Sequence, residues 1–229
     1  MNGTYREKQP WGYTEYSIQP NTYTLFYTRR AKVELFTNTY FGRMLFLDNI
    51  LQSTQFDANI YDREIVQNAL PEFPYSVLLV GGAEGSLAKE ILSQKSVLQV
   101  VMVDWDEELV THMKTETAYE TAFTDPRLTI IHSDIKEYLE KNTTSFFDYI
   151  VLDLFDPFTD DDIEFLCDIC KKCLKYQCNI SMNGGGDLKI VERIICKLQG
   201  EKATFSISYK KVFIPSYQEY WYLISLCKI

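Results

Sequence analysis

An α/β fold, an open parallel sheet preceded by a small antiparallel β-domain, is predicted by three observations. Val77 to Ile91 reads as an apolar strand, a glycine turn and a helix, and Val100 to Asp106 supplies a second strand that ends in acid. From Ser76 onward this strand and helix alternation repeats, which builds a parallel sheet with helices on both faces. Earlier in the chain the texture differs: short runs rich in aromatic and β-branched residues, broken by turn residues, suit a small antiparallel sheet.

The N-terminal strands are predicted at Tyr13–Ile18, Thr22–Arg29, Lys32–Asn38, Arg43–Leu47 and Ile50–Gln55, separated by Gln19-Pro-Asn, the Arg-Ala region, Tyr40-Phe-Gly and Asp48-Asn. A helix from about Asp57 to Ala69 leads to Pro71-Glu-Phe-Pro74, where two prolines in four residues mark a boundary. Two domains are therefore expected, residues 1–70 and residues 71–229. In the second, strands at Val77–Val80, Val100–Val103, Leu128–His132 and Tyr149–Leu152 alternate with helices at Ser86–Gln94, Glu107–Thr115, Ile135–Lys141 and Asp161–Leu174. A strand near Cys178–Met182 runs into the turn Asn183-Gly-Gly-Gly-Asp187. This order is Rossmann-like, of the type methyltransferases use. Open sheets of this kind bind ligands at the carboxyl ends of their strands, so Glu84, Asp104, Asp134, Asp153 and Asp156 are expected to converge on one rim.

Composition narrows the partners. A formal net charge of −9 argues against nucleic acid and is compatible with a cationic ligand, although solubility alone also accounts for it. No apolar run approaches the roughly eighteen residues of a membrane span. The start, Met1-Asn-Gly-Thr-Tyr-Arg-Glu-Lys, lacks the basic then apolar pattern of a secretion signal, so a cytoplasmic location is expected. Cys167, Cys170, Cys173 and Cys178 nearly copy an iron–sulfur spacing. Cys170 and Cys173 share a helical face with Ile163, Leu166, Ile169 and Leu174, so the cysteines read as core. With only two histidines, His112 and His132, no metal site is expected.

The glycine turn, with Gly81, Gly82 and Gly85, lets the backbone approach a nucleoside. Glu84 inside it repels anions, so a cationic ligand suits the turn better than a pyrophosphate or an amino-acid carboxylate. Asp104 is placed to accept from ribose hydroxyls and Asp134 from an adenine amino group, or each caps the helix that follows. Asp153 and Asp156 follow the fourth strand of the alternating region, where a carboxylate can bind an ammonium and then remove its proton.

Over Trp11 to Lys228 the chain resembles the polyamine aminopropyltransferases, the spermidine and spermine synthase family. The matching stretches are Phe41-Gly-Arg-Met-Leu-Phe-Leu-Asp48, Gln52 with Asp57 and Tyr61, Val77 to Gly85, Val103-Asp-Trp-Asp106, Ser133-Asp134 and Val151-Leu-Asp-Leu-Phe-Asp-Pro157. Tyr61-Asp-Arg63 and Pro215-Ser-Tyr-Gln-Glu-Tyr-Trp221 are similar to the spermine synthase branch. The resemblance implies that Asp153 is the base that deprotonates the attacking amine. It implies that Gly81, Gly82, Glu84, Gly85, Asp104, Trp105, Asp134 and Ile135 hold the co-substrate, decarboxylated S-adenosylmethionine, with Glu84 on its aminopropyl ammonium. Gln52, Tyr61, Asp156, Tyr217 and Glu219 would bind the polyamine. It further implies no separate cofactor, a homodimer, and spermine made from spermidine. The turn departs from the family's usual Gly-Gly-Gly-Asp-Gly-Gly, and Arg30-Ala31 stands where a Tyr-Gln pair is general. Two other readings stay open: an N-methyltransferase acting on a small amine, and a non-catalytic homologue that binds polyamines or a partner protein.

Overall fold

The computed structural model describes residues 3–73, 75–116, 120–142, 147–154, 159–175, 177–200 and 204–229. It begins with an antiparallel hairpin, β1 (Gly3–Gln9) and β2 (Gly12–Ile18). A four-stranded antiparallel sheet follows in the order β3 (Thr24–Tyr27), β4 (Lys32–Asn38), β5 (Gly42–Leu47), β6 (Ile50–Thr54). The sequence reading missed β1 because its inward positions carry Glu7 as well as Tyr5. Glu7 is buried, and its carboxylate is satisfied by the Tyr16 hydroxyl at 2.9 Å and the Leu51 amide at 2.8 Å.

Alternation along β4 and β5 gives the small sheet two apolar faces. Phe36, Met44 and Phe46 meet Tyr5 and Tyr16 of the hairpin, while Val33, Leu35 and Leu45 face the rest of the molecule. Helix α1 (Ala58–Gln67) then leads into β7 (Tyr75–Gly81), α2 (Ser86–Ser93), β8 (Val97–Asp104), α3 (Glu107–Met113), α4 (Glu120–Phe123), β9 (Leu128–His132), α5 (Ile135–Lys141), β10 (Tyr149–Asp153), α6 (Asp160–Leu174), β11 (Asn179–Asn183) and α7 (Leu188–Lys197). The last elements are two ten-residue strands, β12 (Phe205–Ile214) and β13 (Glu219–Lys228).

The large sheet has seven strands in the order β12-β13-β11-β10-β7-β8-β9. The pairs from β11 across to β9 are parallel, and β13 joins β11 antiparallel. β7 is central and covered on both faces, which is why Val77-Leu-Leu-Val80 is an unbroken apolar run. Val77 and Leu79 pack with Ile65, Leu87, Ile91 and Val110 of α1, α2 and α3; Leu78 and Val80 pack with Leu139, Ile163 and Ile194 of α5, α6 and α7. Cys167, Cys170, Cys173 and Cys178 are buried in that second core, in agreement with the core reading. Among the described residues, no helix is long and apolar enough to cross a membrane.

Because β7 is followed by β8 on one side and flanked by β10 on the other, the chain reverses direction of winding between β7 and β10. That switch point opens a crevice at the carboxyl ends of the strands.

Candidate active site

The crevice is shaped first by glycine. Gly81 pairs with Asp153 across β7 and β10 and has φ +85°, and a Cβ there would lie 1.9 Å from the Asp153 carbonyl oxygen. Only glycine permits that backbone approach. The Gly85 amide then donates to the Gly82 carbonyl at 2.9 Å, closing a turn that carries Glu84 into the crevice.

Carboxylates gather there. Burial pushes the Glu84 carboxyl up to about 7, helped by the charges of Asp153 and Asp104. Asp153, at the end of β10, is raised to about 6, chiefly by burial. The Tyr61 hydroxyl, reaching over from α1, donates to its Oδ1 at 2.7 Å and opposes that rise, while Asp104 adds to it. Asp104, at the end of β8, is raised by burial, and its Oδ1 accepts from the Asp106 amide at 2.8 Å.

Asp62 is a member of this group that sequence reasoning missed. It is 5% exposed, and its carboxyl is held well above its ordinary range by burial and then by Glu84, with Asp153 and Glu90 adding to the effect. A signal existed, because Asp62 lies with Ala58, Ile65 and Val66 on the buried stripe of α1, where an acid is out of place. Ser86, the first residue of α2, presents a buried hydroxyl to it that opposes this rise.

The other sequence-predicted residues fall on two sides. Toward β9, Asp134 caps α5, accepting from the Lys136 amide at 2.7 Å, and Ile135 is buried behind it. The capping alternative raised from sequence is thus real for Asp134. At α3 the cap is Asp106, which accepts from the Leu109 amide at 3.0 Å, so Asp104 is not spent on that helix. Trp105 is 57% exposed, with the Arg30 guanidinium 4.4 Å from its ring centre. The β3–β4 turn behind Arg30 is pinned by Thr28 to Asp106 at 2.7 Å and by the Arg29 amide to Glu108 at 2.6 Å.

Toward β13, the Tyr217 hydroxyl donates to the Gln52 backbone carbonyl, and the Gln52 side chain turns to the Ile50 carbonyl at 3.2 Å. The Tyr217 ring lies 4.8 Å from Trp221, and Trp221 lies 6.3 Å from Tyr61 at 86°. Glu219 is exposed, with its carboxylate against Gly186. Asp57 ties this side together. Its two oxygens accept from the Thr54 hydroxyl and the Ser216 amide, each at 2.6 Å. Asp156, and Pro157 with it, lies outside the described residues.

A Rossmann-like sheet thus carries a glycine turn at its switch point and an acid-lined crevice at the carboxyl ends of its strands, the architecture of an open α/β protein. The spermine/spermidine synthase domain matches residues 58–229, and the chain belongs to that family. It is 37% identical over 127 residues to polyamine aminopropyltransferase 2 of Pseudomonas aeruginosa, covering 53% of this chain and 36% of that one. It is 38% identical over 133 residues to the polyamine aminopropyltransferase of Saccharolobus islandicus, covering 56% and 44%. These alignments span less than half of each relative's length. The crystal structure of spermidine synthase from Thermotoga maritima superposes with a TM-score of 0.82 at 21% identity, over 99% of this chain and 79% of that one. A spermidine synthase in complex with the transition state analogue AdoDATO superposes with a TM-score of 0.83 at 20% identity, over 98% and 80%. At those identities the likeness is one of fold.

Proposed function

We propose that this protein is a polyamine aminopropyltransferase, moving the aminopropyl group of decarboxylated S-adenosylmethionine to a polyamine amine. The observation that carries the reading is Asp153, held by the Tyr61 hydroxyl at 2.7 Å beside Glu84 at the switch point of the sheet. In this reading Glu84 takes the donor's ammonium. Burial raises its affinity for protons, and a bound ammonium would favour the ionised carboxylate instead. A donor carrying a carboxylate at the same place would meet repulsion instead. Gly81, Gly82 and Gly85 give the nucleoside its close approach, Asp104 takes ribose, and Trp105, Asp134 and Ile135 line the base.

In the reaction, the acceptor's amine nitrogen attacks the aminopropyl carbon bonded to sulfur. The C–N bond forms as the C–S bond breaks, the bonding pair passes to sulfur, and the sulfonium leaves as a neutral thioether nucleoside. The amine's proton passes to Asp153 and then to water. A base that titrates near 6 is ionised at neutral pH and still accepts that proton readily.

Spermidine as acceptor and spermine as product form the finer proposal, supported by Tyr61-Asp-Arg63 and Pro215-Ser-Tyr-Gln-Glu-Tyr-Trp221. Tyr217, Glu219, Gln52, Tyr61 and Asp156 are then the acceptor side. The division at residue 70, a cytoplasmic location and a homodimer belong to the same proposal, and light scattering across a concentration series tests the last.

Calorimetric titration with decarboxylated S-adenosylmethionine and, separately, S-adenosylmethionine tests the donor. Mass spectrometry of mixtures with putrescine or spermidine tests the product. Preference for the decarboxylated donor and a new aminopropylated product are expected. Preference for the intact donor would point to methyl transfer, and no binding of either to a non-catalytic homologue.

A further inference from the structure

The chemistry proposed for the crevice leaves one buried aromatic residue without a role. Trp221 is 8% exposed on β13, and its indole N–H has no hydrogen-bond partner among the described residues. Side chains alternate along a strand, so Glu219, Trp221 and Leu223 share one face, while Tyr220 and Tyr222 point to the other. On the first face the Trp221 ring touches two hydroxyl-bearing rings at once. Tyr217 lies against it at 4.8 Å and 33°, and Tyr61 meets it edge-on at 6.3 Å and 86°. Each tyrosine is committed elsewhere through its hydroxyl, Tyr217 to the Gln52 carbonyl and Tyr61 to Asp153.

We infer that Trp221 is a positioning residue that couples the acceptor end of the crevice to Asp153, by holding Tyr61 and Tyr217 against opposite parts of one indole. This rests on the aminopropyltransferase reading. A tyrosine hydroxyl stays on a carboxylate only while its ring is fixed, and Tyr61 is fixed by Trp221. An acceptor that presses on Tyr217 therefore acts, through the indole, on the hydrogen bond that sets the basicity of Asp153. The other groups facing Asp153 are Glu84 from the β7–α2 turn, Asp104 from β8 and Asp62 from α1. All are acids, so Tyr61 is the member of that set that favours the ionised base.

The test compares wild type, Tyr61→Phe, Trp221→Phe, Trp221→Ala and the double variant Tyr61→Phe/Trp221→Ala. For each, the pH profile of kcat/KM for spermidine, the KM for spermidine and the Kd for 5′-methylthioadenosine are measured. In Trp221→Ala the acid limb should move up by about as much as in Tyr61→Phe, on the order of one pH unit, the size of a lost hydrogen bond to a charged group. The spermidine KM should rise about tenfold, as a loss of ordered contact does, while nucleoside affinity stays within about twofold. The double variant should move no further than Tyr61→Phe, because residues that act in series are non-additive. An unmoved limb in Trp221→Ala, or shifts that add in full, would overturn the inference. If the alanine variant does not fold, judged by loss of nucleoside binding, Trp221→Phe carries the test through a smaller shift in the same direction. Absence of product from wild type sinks the parent reading, whereas product with an unmoved limb sinks only this one.

Discussion

Asp62 and Tyr61 are neighbours on α1 with opposite consequences for the crevice. Asp62 is buried among acids, and its folded-state pKa lies above its unfolded value of 3.8. Such a group is fully compatible with folding below the unfolded value and costs stability as pH rises above it, because the native state then binds more protons than the unfolded chain. Asp62→Asn should therefore raise the stability of the ligand-free protein at pH 8 by about 1–2 kcal/mol, the scale of a buried unsatisfied group. Near pH 4 it should change little; thermal melts at both pH values decide. Tyr61→Phe removes the hydrogen bond that lowers Asp153, so the acid limb of turnover should move to higher pH. Asp153→Asn should lower kcat by about 10²–10⁴-fold, the usual contribution of a general base, with circular dichroism unchanged. Asp153 and Glu84 were legible because each ends a strand or sits in a glycine turn. Asp62 was marked only by its place on the apolar stripe of α1, because its importance comes from Glu84 and Asp153, which lie 22 and 91 positions further along the chain.

At the scale of elements, the turn from β7 to α2 was the clearest in the sequence and has the tightest constraint. A Cβ at Gly81 would fall 1.9 Å from backbone that cannot turn aside. Gly81→Ala should force β7 from β10 at their carboxyl ends, lowering stability by about 2 kcal/mol or more for strained φ and overpacking and weakening nucleoside binding. Calorimetry with 5′-methylthioadenosine checks it. Helix α6 was equally legible, since its cysteines follow the apolar stripe, and Thr159 completes a capping box with Asp162 that fixes its start. The β12–β13 hairpin was not. Ser206 to Lys211 on β12 is only partly covered, so its polar run hides a strand whose pairing is supplied by β13. Helix α7 was also unread, because the glycine tract before it dominated the local pattern.

At the scale of the whole molecule, a net charge of −9 with acids gathered at one rim gives a field that attracts polycations. Acceptor kcat/KM should therefore fall by about tenfold between low salt and 0.5 M salt, with kcat at saturating acceptor much less affected. Steady-state kinetics across ionic strength reads both. The overall architecture was legible because alternation of strand and helix is a local pattern repeated along the chain. How the small sheet seats against the large one was not, since that rests on pairs such as Arg43 with Glu116, at 2.8 Å, that no spacing rule announces.

Asp57 bridges β6 to the turn between the last two strands, through a hydrogen bond that spans 159 residues of sequence. During synthesis the partner amide at Ser216 emerges 159 residues after Asp57. The Tyr217 side of the crevice therefore has to wait for the β12–β13 hairpin, and the long-range closure places it among the late, slow events of folding. A nascent chain released before residue 216 would have its glycine turn and β7 to β10 strands complete, one wall of the crevice standing before the other exists.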